Sequence, residues 1–529
     1  MLTTTEQTAP QSAAADRGAA ELELSRTNTP VSWLLRHEHE LRDHVALRCE
    51  GEGTTYGELA ERVRSTAGVL ADQGVVRGDR VILLSPNRSE FVHVTLAVFY
   101  LGAIVVPVNF RLAPGEVSYL IDNAEPAVMV VDGGLLPLAL EAVRSHDSDL
   151  PIISLDPRTD GGLSLRDLTP TSRPVPVVVQ HEDDAAIMYT SGTTGRPKGA
   201  VLTHGNFSSN ALRTAKAWGV DDSDTVMVAS PLFHIAAFCA YLGHLVVGAR
   251  ALIMPSSAFD ATEILDAMES EGVTTTFLVP AQWQLLCDEP RVSERDLALH
   301  YMSWGAAPAT EALLRRMMTT FTGAGVAAAF GQTETTASGV ALPAADALTR
   351  VGSVGRPTYG FSIRVVDGAM NDVPVGEVGE IVYRGTGVMS RYWRNEQATA
   401  EAFHGGWFHS GDLVRQDEDG FLYVVDRIKD MIISGGENIY CAELENVIAD
   451  HPKVAQVAVV GRADDRWGEV PVAVVVREEG SEAVTLDEIR DFCDGRLARY
   501  KLPKDLVVRA DFPRSGTGKI LKSRLRDEV

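Results

Sequence analysis

A Gly/Thr-rich stretch containing one lysine, MYTSGTTGRPKGAVLTH at 188–204, carries the clearest chemistry in the 529-residue chain. Thr190, Ser191, Thr193 and Thr194 are interspersed with Gly192 and Gly195, so hydroxyls and backbone N–H groups can wrap phosphate oxygens. Lys198 adds a point positive charge. The spacing is not that of a Walker loop, which sets its lysine between glycine and Ser or Thr, because Pro197 precedes Lys198 and Gly199 follows it. A surface turn would explain the flexibility but not a lysine set among so many phosphate donors. The serine-hydrolase pattern GxSxG is absent at the two tempting serines, since Tyr189 and Ile432 occupy the first-glycine positions for Ser191 and Ser434.

Four further stretches follow in order: AAFGQTETTA (328–337), WFHSGDLV (407–414), DRIKDMIISGGENIY (426–440) and PRSGTGKILKSRLR (513–526). With the Gly/Thr loop they resemble the ANL superfamily of AMP-forming adenylating enzymes, which comprises acyl-CoA synthetases, luciferases and nonribosomal adenylation domains. The resemblance runs over about residues 30 to 529. It implies an ATP-dependent acid–thiol ligase of the acyl-CoA synthetase, fatty-acid- or aryl-CoA ligase type, using ATP, Mg²⁺ and CoA. The carboxylate would attack the α-phosphorus of ATP to give acyl-AMP and pyrophosphate, and the CoA thiol would then take the acyl group. The alternatives are an enzyme that stops at the adenylate and hands it to a carrier protein or partner transferase, and a non-catalytic acyl- or nucleotide-binding relative. Retention of Lys198, Glu334, Asp412 and Lys519 speaks against the latter.

Residue by residue, the resemblance assigns Thr190, Ser191, Gly192, Thr193, Thr194 and Gly195 to the phosphates, with Lys198 and Thr333 as further phosphate contacts. Glu334 would hold Mg²⁺, since a hard cation takes carboxylate oxygen. Phe330, followed by Gly331 and Gln332, would stack on adenine, although Ala328 and Ala329 stand where relatives carry a polar residue and glycine. Asp412 and Arg427 would bind the ribose hydroxyls, as acceptor and donor. Lys519 matches the adenylation lysine, whose ammonium bridges the substrate carboxylate and the α-phosphate. Lys429 matches the hinge, and Ser434, Gly435, Gly436 and Glu437 the loop that guides CoA. His234 matches the gate beside the carboxylate, and Trp304, Gly305, Ala306 and Ala307 the floor of the acyl pocket. These small residues, with Ala236 and Ala237, leave room for a hydrophobic or bulky acid, and Trp283 and Trp304 are expected as walls. No acidic residue at the gate is placed to hold an α-amine, which disfavours amino acids. Cys441 stands where relatives commonly have proline and is expected as a packing thiol.

The elements that position these residues follow from periodicity. Apolar, β-branched runs such as RVILLS (80–85), AIVVPV (103–108), AVMVV (127–131), TVMVAS (225–230) and TTTFLVP (274–280) alternate with helical stretches, which predicts parallel sheets wrapped by helices. The fold class is therefore α/β multidomain: a large N-terminal domain (30–426) of two doubly wound subdomains plus a barrel-like β subdomain, a hinge at 427–430, and a small mobile α+β domain (431–529). Residues 1–29, rich in Thr, Ala and Pro with no basic start and apolar core, read as a disordered tail rather than a signal.

Composition narrows the partners. The 72 acidic against 48 basic residues give a net charge of −24, which argues against nucleic acid. Five scattered cysteines without CxxC spacing suggest neither a disulfide framework nor a zinc cluster and fit a reducing cytoplasm. The run FVHVTLAVFYLGAIVVPVNF (91–110) carries His93 and Pro107 and reads as a buried helix entering a buried strand, not a membrane span.

Overall fold

A computed structural model describes residues 18–144, 149–190, 196–256, 259–307, 309–435, 437–464, 466–478, 480–514 and 520–529. The chain divides into two compact units. The larger takes residues up to Val351 together with Pro357–Ser362 and Arg384–Phe403; the smaller takes Gly352–Arg356, Ile363–Tyr383 and His404–Val529.

Two sheets form the larger unit. In the first, Gly325–Phe330, Tyr301–Gly305, Thr275–Leu278, Thr225–Val228, Arg250–Ile253 and Val45–Cys49 lie side by side in that order, all parallel. In the second the order is Arg391–Tyr392, Lys198–Thr203, Asp184–Thr190, Ile104–Val108, Arg80–Leu84, Val128–Val131 and Ile152–Ser154. Strands such as Ile104–Val108 and Val128–Val131 are buried along their whole length, as continuous apolar runs must be when helices cover both faces. The run from 91 to 110 resolves into the helix Ser89–Tyr100 and the strand Ile104–Val108, and among the described residues no helix is long and apolar enough to cross a membrane.

Helix starts follow local chemistry. Thr55 accepts the Glu58 N–H at 3.2 Å while the Glu58 carboxylate accepts the Thr55 N–H at 2.9 Å, opening Tyr56–Asp72 with a reciprocal cap. Thr203 and Asn206 do the same for His204–Trp218. Asn206 also donates its amide to the carbonyls of Thr386 and Val388 at 2.8 and 3.0 Å, tying the segment that leads to Tyr392 onto the helix start.

In the smaller unit, Val378–Gly385, Phe408–Gln416 and Leu422–Arg427 pair antiparallel within a four-stranded sheet. A second sheet joins Glu437–Ile439, Ile432–Ser434, Gly468–Arg477 and Val454–Asp464, with Asp505–Arg509 parallel to Gly468–Arg477. Alternation along its two long strands buries both faces. Val459, Ala473 and Val475 pack with Leu444, Ile448 and Ile489, while Ala458, Val460, Val472 and Val474 pack with Phe512 and Leu525.

Two expectations change here. Residues 18–24 are helical and Leu24 is fully buried, so order begins before residue 30. The body of the four-stranded sheet groups with the C-terminal residues rather than with the large N-terminal part. Contacts such as the Ala442 N–H on the Asp426 carboxylate, at 3.4 Å, link that sheet to the helix Cys441–Ala449.

Candidate active site

Glu334 organises the described part of the site in the larger unit. It lies on a short 3-10 turn, Thr333–Thr335, and is only 6% exposed. The Thr335 hydroxyl accepts the Gln332 N–H at 2.9 Å, and the Met389 N–H donates to the Glu334 carbonyl at 2.8 Å, so the turn is fixed from both sides. Thr336 follows with positive φ, its carbonyl bonded by the Asn210 amide at 2.7 Å.

Two hydroxyls converge on Glu334 Oε1: Tyr392 Oη at 2.9 Å and Thr190 Oγ1 at 3.4 Å. Strand pairing brings them there. Asp184–Thr190 and Lys198–Thr203 run antiparallel with Thr190 opposite Lys198, and Arg391–Tyr392 pairs on the outer side with Tyr392 opposite Ala200. Lys198 Nζ stands 5.4 Å from the Tyr392 ring centroid, a cation–π distance. Burial, then the Glu334 charge, pushes the Tyr392 phenol far above its ordinary range, so it remains a donor. Among the described residues no cation pairs with Glu334 and none bonds its Oε2. An oxygen-only set with one lone-pair face open fits a hard divalent cation such as Mg²⁺.

The residues expected to floor an acyl pocket lie at the end of a central strand. Trp304 is buried between Leu278 and Ala328 on the neighbouring strands. A side chain at Gly305 would bring its Cβ to 2.2 Å from the Ala329 carbonyl oxygen, so only glycine fits. Ala306 holds a positive φ of 63°, and it and Ala307 are exposed. His234 stands at the N-cap position of the helix Ile235–Leu245, its ring tilted by 45° against Phe233 with centroids 4.2 Å apart. Trp283, expected as a pocket wall, is instead a core residue: it is fully buried, its Nε1–H donates to the Ser303 carbonyl at 3.0 Å, and its ring meets Phe321 edge-on. A buried indole needs that acceptor, which draws it beneath the strand.

In the smaller unit Asp412 and Arg427 face each other across an antiparallel pair, with Arg427 Nε 2.8 Å from Asp412 Oδ1. Asp412 is buried and Arg427 exposed. Two and three residues on, the Lys429 carbonyl and the Asp430 carboxylate accept from Arg526 at 3.5 and 3.1 Å. Ser434, buried, and Glu437, exposed, are partners in a tight hairpin with Gly435 at its turn. Cys441 is the expected packing thiol: fully buried, donating to the Asp430 carbonyl at 3.0 Å, and pushed far up by burial. Lys522 meets Glu445 at 2.7 Å, joining the C-terminal helix Lys522–Arg526 to Cys441–Ala449. Ser191, Gly192, Thr193, Thr194, Gly195, Gly436 and Lys519 lie outside the described residues. Phe330 ends the strand Gly325–Phe330, and Gly331, Gln332 and Thr333, partly exposed, lead into the Glu334 turn.

Sequence reading missed Tyr392. Its signal was slight, a pair of aromatics between arginines in RYWR (391–394), and its role depends on a strand pairing that joins it to residue 200.

Residues 35–393 match the AMP-binding enzyme family, and residues 443–519 match the AMP-binding enzyme C-terminal domain. A feruloyl-CoA synthase of Amycolatopsis sp is 38% identical over 497 residues, covering 94% of this chain and 98% of its own. An indoleacetate–CoA ligase of Aromatoleum aromaticum is 37% identical, covering 94% of this chain and 97% of its own. The o-succinylbenzoate CoA synthetase of Bacillus subtilis, solved with its acyl-adenylate intermediate, superposes with a TM-score of 0.85 at 31% identity, covering 94% and 98% of the two chains. The same synthetase has been solved with ATP and a magnesium ion.

Proposed function

The chain belongs to the AMP-binding enzyme family and is an ATP-dependent, AMP-forming acid–thiol ligase, and from that premise we propose that its substrate is a bulky, largely apolar carboxylic acid of the aryl type, which it converts to the aryl-CoA thioester. The observation that carries the substrate reading is the floor: Gly305, Ala306 and Ala307 present almost no side chain at the end of the central strand. The acids named for three of the relatives, ferulate, indoleacetate and o-succinylbenzoate, bear a ring, which supports this choice, while a long-chain-fatty-acid–CoA ligase of Mycobacterium tuberculosis that is 36% identical supplies the competing class.

In this reading Thr190 and the loop Ser191–Gly195 hold the phosphates, and Lys198 lays its charge alongside them. Phe330, Gly331 and Gln332 border the adenine, while Asp412 accepts from the ribose hydroxyls with Arg427 beside it. Glu334, with Thr190 and Tyr392 fixing one of its oxygens, directs the other at the cation. Mg²⁺, when bound, offsets the charge on the departing pyrophosphate. Lys519 neutralises the meeting carboxylate and α-phosphate, so the carboxylate oxygen attacks phosphorus and pyrophosphate leaves. The C-terminal residues then pivot at Lys429, the Ser434–Glu437 hairpin guides the CoA thiol to the carbonyl, and AMP leaves. No protein nucleophile takes part.

The test is mass spectrometry of products from purified protein, Mg-ATP and CoA with ferulate, indoleacetate, o-succinylbenzoate, straight-chain fatty acids and amino acids. Aryl-CoA is the expected product. Thioesters of the straight-chain acids alone would overturn the substrate class, and acyl-AMP without any thioester would direct the search to a carrier protein or partner transferase.

A further inference from the structure

The tripeptide Trp467–Gly468–Glu469 takes no part in the chemistry assigned above, yet each of its residues is tied to the hairpin that contains Ser434 and Gly435. Trp467 lies in the turn between the long strands Val454–Asp464 and Gly468–Arg477, where the Asp464 carboxylate accepts the N–H groups of Arg466 and Trp467, both at 2.9 Å, and Gly468 and Glu469 open the second strand. The Trp467 carbonyl accepts the Gly435 N–H at 2.7 Å. Gly468 pairs with Ser434, and the Glu469 carboxylate accepts the Ile433 N–H at 3.0 Å.

The indole closes the arrangement. A Cβ at Gly435 would lie 2.8 Å from Trp467 Cε3, so the ring is packed directly on the glycine backbone, which itself holds a left-handed φ of 62°. The ring is nevertheless 44% exposed, with the Arg466 guanidinium 4.9 Å from its centroid. A large aromatic left half in water and pressed on a glycine contributes little to a core. What it does supply is a rigid wall, with few rotatable bonds, against one side of a turn that otherwise lacks side chains.

We propose that Trp467 is a positioning residue for thioester formation: its indole holds the Ser434–Gly435 backbone in the one shape along which the pantetheine arm of CoA passes. The inference rests on the reading that CoA is the acceptor. Glu469 and the Trp467 carbonyl set the height of the hairpin through backbone bonds, and the indole sets its lateral position.

The experiment separates the two half-reactions, using the panel acid that the wild-type protein adenylates fastest. Adenylation is followed as acyl-hydroxamate with hydroxylamine as acceptor, and transfer as acyl-CoA over a CoA titration. Trp467→Ala should raise the KM for CoA and lower kcat/KM for CoA about tenfold or more while hydroxamate formation stays within about twofold, because only interactions of the second step are lost. Trp467→Phe should stay within about threefold of wild type, since a smaller ring still backs the glycine. Gly435→Ala should impair transfer, and adding Trp467→Ala to it should cost less than the product of the single losses, because the new methyl then occupies vacated space. Equal loss of both half-reactions, unchanged acyl-CoA formation, or a phenylalanine variant as poor as the alanine one would each overturn the proposal. Hydroxamate without acyl-CoA in the wild-type protein would instead overturn the CoA reading on which it rests.

Discussion

Glu334 in the larger unit and the segment Arg427–Asp430 in the smaller one are both held firmly, but by different chemistry. Neutral hydroxyls of Thr190 and Tyr392 hold Glu334, and its charge is left uncancelled by any described cation. Ion pairs hold the other region: Arg427 on Asp412, Arg526 on Asp430, and nearby Lys522 on Glu445. The difference has a physical sense. If Glu334 holds a metal ion, as proposed, a guanidinium neutralising it would remove that function, so hydroxyl donors, which orient without cancelling charge, are the suitable clamps. In the proposed reading the other segment must keep or change place, which opposite charges, directional and separable, allow.

The largest expected effect tests the first half of that contrast. Glu334→Gln keeps the shape and the hydroxyl contacts but removes the charge, and adenylation measured as hydroxamate should fall about 10²- to 10³-fold, with a higher Mg²⁺ requirement. An unchanged Mg²⁺ titration would break the assignment.

The second half is tested by Glu445→Leu, which strands the nearly buried Lys522 ammonium and should destabilise the protein by about 3 kcal/mol in chemical denaturation. Burial raises the Glu445 carboxyl while Lys522 opposes that, so the pair is strongly interdependent. The double variant Glu445→Leu, Lys522→Met should recover much of the loss. If the double variant is as unstable as the single one, the pair is not what fixes the helix Lys522–Arg526.

Acid tests the larger unit. Burial drives the His204 imidazole down to about 4, with both ring nitrogens lacking a hydrogen-bond partner among the described residues. Its folded pKa lies below the unfolded value, so the unfolded chain binds more protons between about pH 6.5 and 4, and stability is lost as pH falls through that window, up to about 3 kcal/mol for this one group. His204→Phe should reduce the slope of stability against pH across that window, to which the buried His93 and His244 also contribute, measured by urea unfolding. A slope as steep as the parent's would remove His204 from the account.

The smallest effect sharpens the hydroxyl clamp. Tyr392→Phe deletes the 2.9 Å bond to Glu334 and should cost adenylation about tenfold or less, near 1 kcal/mol, with the thiol-transfer step untouched.

These residues also show what spacing reveals and what it cannot. Glu334, Asp412 and Arg427 stood out because each sits in a short ordered motif, and the structure sets Glu334 beside Thr190 and Asp412 beside Arg427; the alternation of β-branched runs with helical stretches marked the parallel sheets from Arg80–Leu84 to Thr275–Leu278. Tyr392 was not, because its meaning arises only when a two-residue strand docks beside Lys198–Thr203, far away in sequence. Trp283 was misread because sequence shows an aromatic near the floor residues but not the Ser303 carbonyl that draws its N–H inward. The helix at 18–24 was hidden by an Ala-, Thr- and Pro-rich composition that says nothing of Leu24 finding a core to enter.

The close approach at Gly305 bears on how substrate range can change in such a chain. With the Ala329 carbonyl 2.2 Å from where any β-carbon would stand, that position has a single viable occupant, and selection cannot use it to resize the cavity. If the proposed floor is right, variation in acid preference enters through the adjoining Ala306 and Ala307, or through Ala236 on the helix behind His234, and saturation libraries at those codons would change acid preference while leaving the sheet itself intact.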